Sequence, residues 1–433
     1  MTGKTALTYL NVIASRLLGT GGNFLLLIVI GRLYGADATG LFYAVLSLGF
    51  LTSVIANMGL SRFTLRHAGV DGEGPAAQSG RADPNAIKAI GGILALLPLL
   101  AGAVGLVLGG SVPDTLNLYP FGLLTGAALA LLLVVADLLK TQHRPGLALI
   151  VENTALPWLT LLTVGLAASV ASTAETPAMA LTLCALLLAC VLASTQVGGA
   201  IPQARGKIGP QCTALLRQKL TLATYWLNGV VVMGASRLVG LVAPLLLTAA
   251  DTGVLAAAIG LVSLGGTVLQ ASQAYFAPRF ARAFRDGAPR HLVRGLLASC
   301  AMSTLLFLPI AALCWFYPAA LLGLFGTEFA AAGTLILPIL ATGQALRLLA
   351  GNAEIFLSMV DRPHAELAAL LLSIAVFFAV LMFANAPQST DSLARACAAM
   401  FASRGALSMG FALWAVRHIT SRTGNVAPAG DRV

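Results

Sequence analysis

The chain has 433 residues, 58% of them hydrophobic and only 10% charged, with a formal net charge of +10. Its mean hydropathy is +0.89. A soluble domain carries roughly 25% charged residues, so a soluble protein is excluded. In lipid every backbone polar group must be satisfied inside the protein, which leaves helices or a closed barrel. The apolar runs here are continuous over about 20 residues rather than alternating, so helices are predicted.

Taken in order, twelve spans are predicted: 5–33, 39–60, 87–109, 119–139, 147–168, 177–199, 220–248, 253–276, 292–316, 330–357, 364–384 and 393–416. The first is read as a span rather than a signal peptide, because Arg16 interrupts it and no small-residue cleavage site follows. It has a polar face of Tyr9, Arg16, Thr20 and Asn23, within about 60° of one another at 100° per residue. Gly19, Gly21 and Gly22 beside it suit either close helix packing or a bend that changes between two states. The loop 61–86 is rich in Gly and Pro and reads as flexible. Asp137, Lys140, His143 and Arg144 at the end of span four and Glu152 at the start of span five are expected to pair near the inner surface, as a structural ion cluster rather than a proton relay.

The segment 201–219 is basic and links an N-terminal lobe (1–200) to a C-terminal lobe (220–416). Ser263, Gln270 and Gln273 are placed toward one side of span eight. The loop after it carries RFARAFRDG, expected as a short interfacial helix. Span ten has a polar face of Gly343, Gln344, Arg347, Gly351 and Glu354, and span twelve carries Arg404 near mid-depth. The tail 417–433 is expected to be disordered on the cytoplasmic side.

The two lobes echo each other. ASRLLG, with Arg16, aligns with ASRLVG, with Arg237; Asp37 to Gly40 aligns with Asp251 to Gly253; Asn23 aligns with Pro244. Each half has an even number of spans, so both enter the membrane from one side and the repeat is parallel. The predicted fold is therefore all-α and polytopic: about twelve transmembrane helices in two parallel-repeat six-helix lobes around a central cavity.

Basic residues set the orientation. With the N-terminus inside, the inner segments hold most of the 26 Lys and Arg. The six outer loops hold none, and each has one acid: Asp37, Asp114, Glu175, Asp251, Glu328 or Asp391. The positive-inside rule describes this asymmetry, with both termini cytoplasmic. The net charge then needs no nucleic-acid partner. The six cysteines show no metal-ligand spacing and read as packing residues, and no metal, cofactor or catalytic constellation is predicted.

Arg16, Arg237, Arg347 and Arg404 all fall inside spans. An arginine at a helix centre costs roughly 2.5–3.5 kcal/mol on insertion scales if it faces lipid. Each should therefore face water, an acid or an anionic ligand. Glu354 can reach Arg347 on one helix face; Arg16, Arg237 and Arg404 have no evident carboxylate at their depth. Arg32 and Arg395 lie nearer the outer surface and can snorkel. The candidate substrate site is a cationic cavity of Arg16, Asn23, Arg237, Gln270, Arg347 and Arg404, with Arg16 and Arg237 facing each other across it. Asp137, Glu152 and Glu354 are candidates for inner-gate ion pairs.

SRLLG, IGRLYGADATGLF, Gly59-Leu60-Ser61-Arg62-Phe63 and the LFGTEFAAAG turn from Leu324 resemble the polysaccharide-type oligosaccharide flippases. These belong to the multidrug/oligosaccharidyl-lipid/polysaccharide exporter superfamily. The resemblance rests on the first 66 residues and that turn. It implies two six-helix lobes and an undecaprenyl-diphosphate-linked oligosaccharide as substrate. It further implies the bacterial inner membrane, surface-polysaccharide synthesis, and a polymerase and chain-length regulator as partners. Lipid II flippases of the same superfamily have two more helices than the twelve predicted here. A drug/cation antiporter of that superfamily needs a cavity acid, and spans one, two, seven and eight have none at depth. A polysaccharide-assembly enzyme would need a large outer loop, and a major-facilitator carrier its loop motif; neither is present.

Overall fold

In the computed structural model the described residues are 3–60, 84–108, 119–141, 145–170, 173–192, 194–195, 219–286, 288–360, 362–384 and 388–424. The Gly/Pro-rich loop after span two, His143, Arg144 and almost all of the 201–219 linker lie outside them. The fold is all-α, with apolar helices that bury one side against each other and leave many large aliphatic side chains, such as Leu97, Leu183 and Met382, outward. That outward face suits lipid as the solvent.

The helices are α1 (Gly3–Asn57), α2 (Pro84–Leu108), α3 (Tyr119–Thr141) and α4 (Pro145–Leu149). A π-helical turn (Ile150–Thr154) leads into α5 (Ala155–Ala167), followed by α6 (Thr176–Leu192), α7 (Lys219–Leu246) and α8 (Ala249–Val262). Then come α9 (Leu264–Arg285), α10 (Pro289–Phe316), the short α11 (Pro318–Leu322) and α12 (Thr327–Ala332), and α13 (Ile336–Leu349). The last are α14 (Ala353–Met359), α15 (Pro363–Met382) and α16 (Thr390–Gly424).

Among the described residues, 9 helical stretches are long and apolar enough to cross a membrane. They relate to the twelve predicted spans in three ways. Spans one and two run together in α1, whose 55 residues are broken only at Gly35. Span six is the shorter α6. Span ten is split between α13 and α14. Gly35 has φ 83, a value that favours glycine, and Thr39 donates to its carbonyl. Tyr34 beside it donates to the Val164 carbonyl of α5 at 3.0 Å. The bend of the first copy therefore sits at Gly35. Gly19 and Gly22 serve close packing instead: a Cβ on either would meet Asn153 or Trp158 at 2.8 Å.

Span ten was expected as one helix over 330–357, and the structure corrects this. Gly351, at φ 53, ends α13 against Cys300, where a Cβ would lie 2.7 Å from the Cys300 Cα. Asn352 then donates to Ser272 Oγ at 2.6 Å, and α14 begins. Two further corrections follow. RFARAFRDG is the end of α9, not a separate interfacial helix, because Phe276 and Phe280 stay buried in the same core as Phe356. The helix α16 continues to Gly424, where disorder was expected from 417, because Ile419 still packs on that core.

By packing, the chain forms two compact units, Met1–Ala256 and Ala257–Val433. This division is distinct in kind from the repeat division expected at 201–219. The first unit has its core in α1, α3, α5 and α6, around Leu26, Ile30, Phe42, Leu132 and Leu181. It also holds the two aligned turn motifs. A Cβ on Gly40 would lie 2.0 Å from the Ala249 carbonyl oxygen, and one on Gly253 2.0 Å from that of Ala36. The aligned glycines thus cross backbone on backbone. The second unit has its core in α9, α10, α14 and α16.

Candidate functional site

In the first unit, α7 crosses the second half of α1 at Gly240. A Cβ there would sit 2.0 Å from Ser47 Oγ and 2.8 Å from the Tyr43 ring. This approach brings Arg237, nearly one turn earlier, over the ring of Phe50, 4.2 Å from its centroid. Among the described residues no carboxylate pairs with Arg237. Both Arg237 and Phe50 are half-buried, and a guanidinium on a ring face is held by roughly 0.5–1 kcal/mol where it is solvated and roughly 2 kcal/mol or more where it is desolvated. Its edge donors stay available, as planar recognition of a phosphate requires. Asn23 is exposed, and its amide donates to the Gly19 carbonyl of its own helix at 3.2 Å. The side chain of Arg16 lies outside the described residues, and so does its expected approach to Arg237.

In the second unit, α13, α14 and α16 build an ion triad. Arg347 Nη2 lies 3.3 Å from Glu354 Oε1, and Arg404 Nη2 lies 2.7 Å from Glu354 Oε2. The three side chains are 17%, 11% and 16% exposed. Two guanidinium groups thus share one carboxylate, leaving one net positive charge. The Nε of Arg347 is buried with no hydrogen-bond partner among the described residues. Arg404 was expected to lack a carboxylate, and the structure overturns that. Glu354 lies 50 residues away in sequence, and Gly405, whose Cβ would fall 2.8 Å from the Arg347 Cα, closes α16 onto α13. Gln270 is exposed on α9.

At the end of α3, Lys140 joins two carboxylates. Its Nζ is 2.9 Å from Asp137 Oδ1 and 2.7 Å from Glu152 Oε2. Partial burial works against the lysine charge, and Asp137 and Glu152 outweigh it, so its pKa lies above the ordinary lysine value. Glu152 sits in the π-helical turn, a wound-open geometry that recurs at functional positions. Among the described residues no group of three His, Cys, Asp or Glu could hold a metal ion.

Sequence reasoning missed Phe50 and Tyr43 as the surroundings of Arg237, and Asn352 with Ser272 at the break in span ten. An aromatic in an apolar span carries no local mark of a cation above it. Gly351-Asn352 did carry a helix-stop signal.

No protein-family model matches the chain, and no curated protein matches its sequence. Solved structures do match in fold. One is an inward-facing multidrug resistance MATE family transporter of the MOP superfamily, with TM-score 0.67 and 12% identity over 95% of this chain and 96% of that one. Another is the lipid II flippase MurJ in an inward closed conformation, with TM-score 0.63 and 12% identity over 95% of this chain and 87% of that one. A third is an outward-facing MATE transporter of the same superfamily, with TM-score 0.55 and 11% identity over 96% of each chain. At such identities the likeness is one of fold: the chain has the all-helical fold these proteins share.

Proposed function

We propose that the protein is a flippase for undecaprenyl-diphosphate-linked oligosaccharide. It would carry repeat units from the cytoplasmic to the periplasmic leaflet of a bacterial inner membrane for surface-polysaccharide synthesis. Arg237 carries this reading: an intramembrane guanidinium that rests on Phe50 and pairs with no carboxylate among the described residues. A charge kept at depth without a counter-ion is costly unless an anion visits it. A diphosphate suits the planar fork, which stays protonated and forms paired charge-assisted bonds. Arg16, its repeat equivalent, and Asn23 and Gln270 complete the proposed polar lining. The fold shared with a lipid II flippase supports a lipid-linked substrate.

In this reading the lobes 1–200 and 220–416 rock about the site, exposing it to one side at a time while the tail stays in lipid. An inside-negative potential favours outward movement of an anion by roughly 2.3 kcal/mol per charge per 100 mV, if no counter-ion travels with it. A polysaccharide polymerase and a chain-length regulator would act on the product, and both termini would be cytoplasmic. A drug/cation antiporter, the reading favoured by the MATE likeness, needs a carboxylate at depth free to hold a cation. Glu354 is already held by two arginines.

Arg16→Ala and Arg237→Ala should each leave carrier-linked sugar on the cytoplasmic leaflet while the protein still inserts, with the lysine variants milder. Normal export by both well-expressed alanine variants would refute the mechanism.

A further inference from the structure

Beyond the membrane-spanning core, the α9–α10 hairpin presents the chain's densest described group of exposed cations. Arg279, Arg282, Arg285, Arg290, His291 and Arg294 are all exposed, with Asp286 the one acid among them. Among the described residues no carboxylate pairs with any of the five arginines. On α9, Arg279, Arg282 and Arg285 fall within an arc of about 120°. On α10, Arg290 and Arg294 are one turn apart.

The hairpin is a rigid support. Phe276 and Phe280 are buried, and Phe280 meets Phe356 edge-on at 5.3 Å. Leu292 and Leu296 of α10 enter the same core. Arg279 is held flat over the Tyr275 ring, 3.4 Å from its centroid, and also donates to the Tyr275 carbonyl. Tyr275 is itself exposed, so an aromatic ring and a guanidinium are displayed together, as at a membrane–water interface. The helix α9 has 22 residues, about 33 Å at 1.5 Å per residue, and Arg279, Arg282 and Arg285 lie in its last two turns.

We infer that this hairpin is a docking surface for the phosphate groups of anionic phospholipids in the surrounding leaflet. Charge complementarity selects the occupant: exposed arginines that pair with no carboxylate among the described residues, beside an exposed tyrosine, match a layer of lipid phosphates. Such residues attract anionic lipid by about 1 kcal/mol each, which is about fivefold per side chain. The inference does not depend on which substrate the protein carries.

The full-length protein, equilibrated in mixed micelles of equal phosphatidylglycerol and phosphatidylcholine, would be analysed for bound lipid by mass spectrometry. Wild type should enrich phosphatidylglycerol at least about fivefold, and less at high salt. Arg279→Gln/Arg282→Gln/Arg285→Gln should lower the ratio at least about fivefold, and the triple lysine variant should keep it. If the glutamine triple does not elute as a monodisperse species, the single variant Arg282→Gln and the salt dependence of wild type replace it. Unchanged enrichment in the glutamine variants, or none in wild type, would overturn the inference. So would a thermal midpoint raised as much by inorganic pyrophosphate as by phosphatidylglycerol, since the surface would then serve soluble phosphate.

Discussion

Arg237 in the first unit and Arg347 with Arg404 in the second are the same residue type at membrane depth, held in opposite ways. Arg237 lies on a ring and keeps its edge donors, whereas the other two divide one carboxylate between them. A ring face offsets little of the desolvation of a guanidinium, while a shared carboxylate offsets much of it. The first arrangement leaves a cation with no carboxylate partner among the described residues, and the second ties its two cations to one carboxylate. Both depend on a glycine that lets two helices meet: Gly240 for Arg237, Gly405 for the triad.

The largest expected effect breaks the second arrangement. Glu354→Gln leaves two buried arginines uncompensated and should cost about 3–5 kcal/mol of stability. A thermal midpoint in detergent unchanged from wild type would show that the triad is not a stability element. Next are the glycine contacts. Gly240→Val and Gly405→Val each place a side chain against a packed helix and should cost about 1–3 kcal/mol. Under the proposed function, export in the Gly240 variant should fall further than stability explains, because Arg237 is moved off Phe50; parallel losses in both variants would erase the distinction. Smaller still, Phe50→Leu should cost about 0.5–1 kcal/mol for the lost ring face while keeping an apolar, somewhat smaller side chain there. If it instead destabilised as much as Glu354→Gln, the ring would be the true counterpart of the carboxylate.

The smallest effect concerns Lys140, which pairs with carboxylates as the triad does but outside the span. Its folded pKa is raised, so its contribution to stability is fully present below the ordinary lysine value of about 10.4. That contribution is lost as pH rises through the higher folded value. The difference in thermal midpoint between wild type and Lys140→Met should be constant from pH 6 to 9 and shrink above about pH 10.4. A difference that grew with pH would reverse the sign.

The sequence by itself determined the class, the helices and most of their places, because a continuous apolar run of about 20 residues has one stable form in lipid. It also marked which arginines must be explained, since their cost follows from depth alone. It read Glu354 with Arg347, because seven residues along one span are a local relation. Tertiary structure alone decided that Arg404 joins them across 50 residues, that Arg237 lies over Phe50, and that span ten breaks at Gly351 against Cys300. Each of these depends on how closely two helices approach and which faces they turn to one another. That is fixed by the fit of side chains and glycines distant in sequence, which no local pattern encodes.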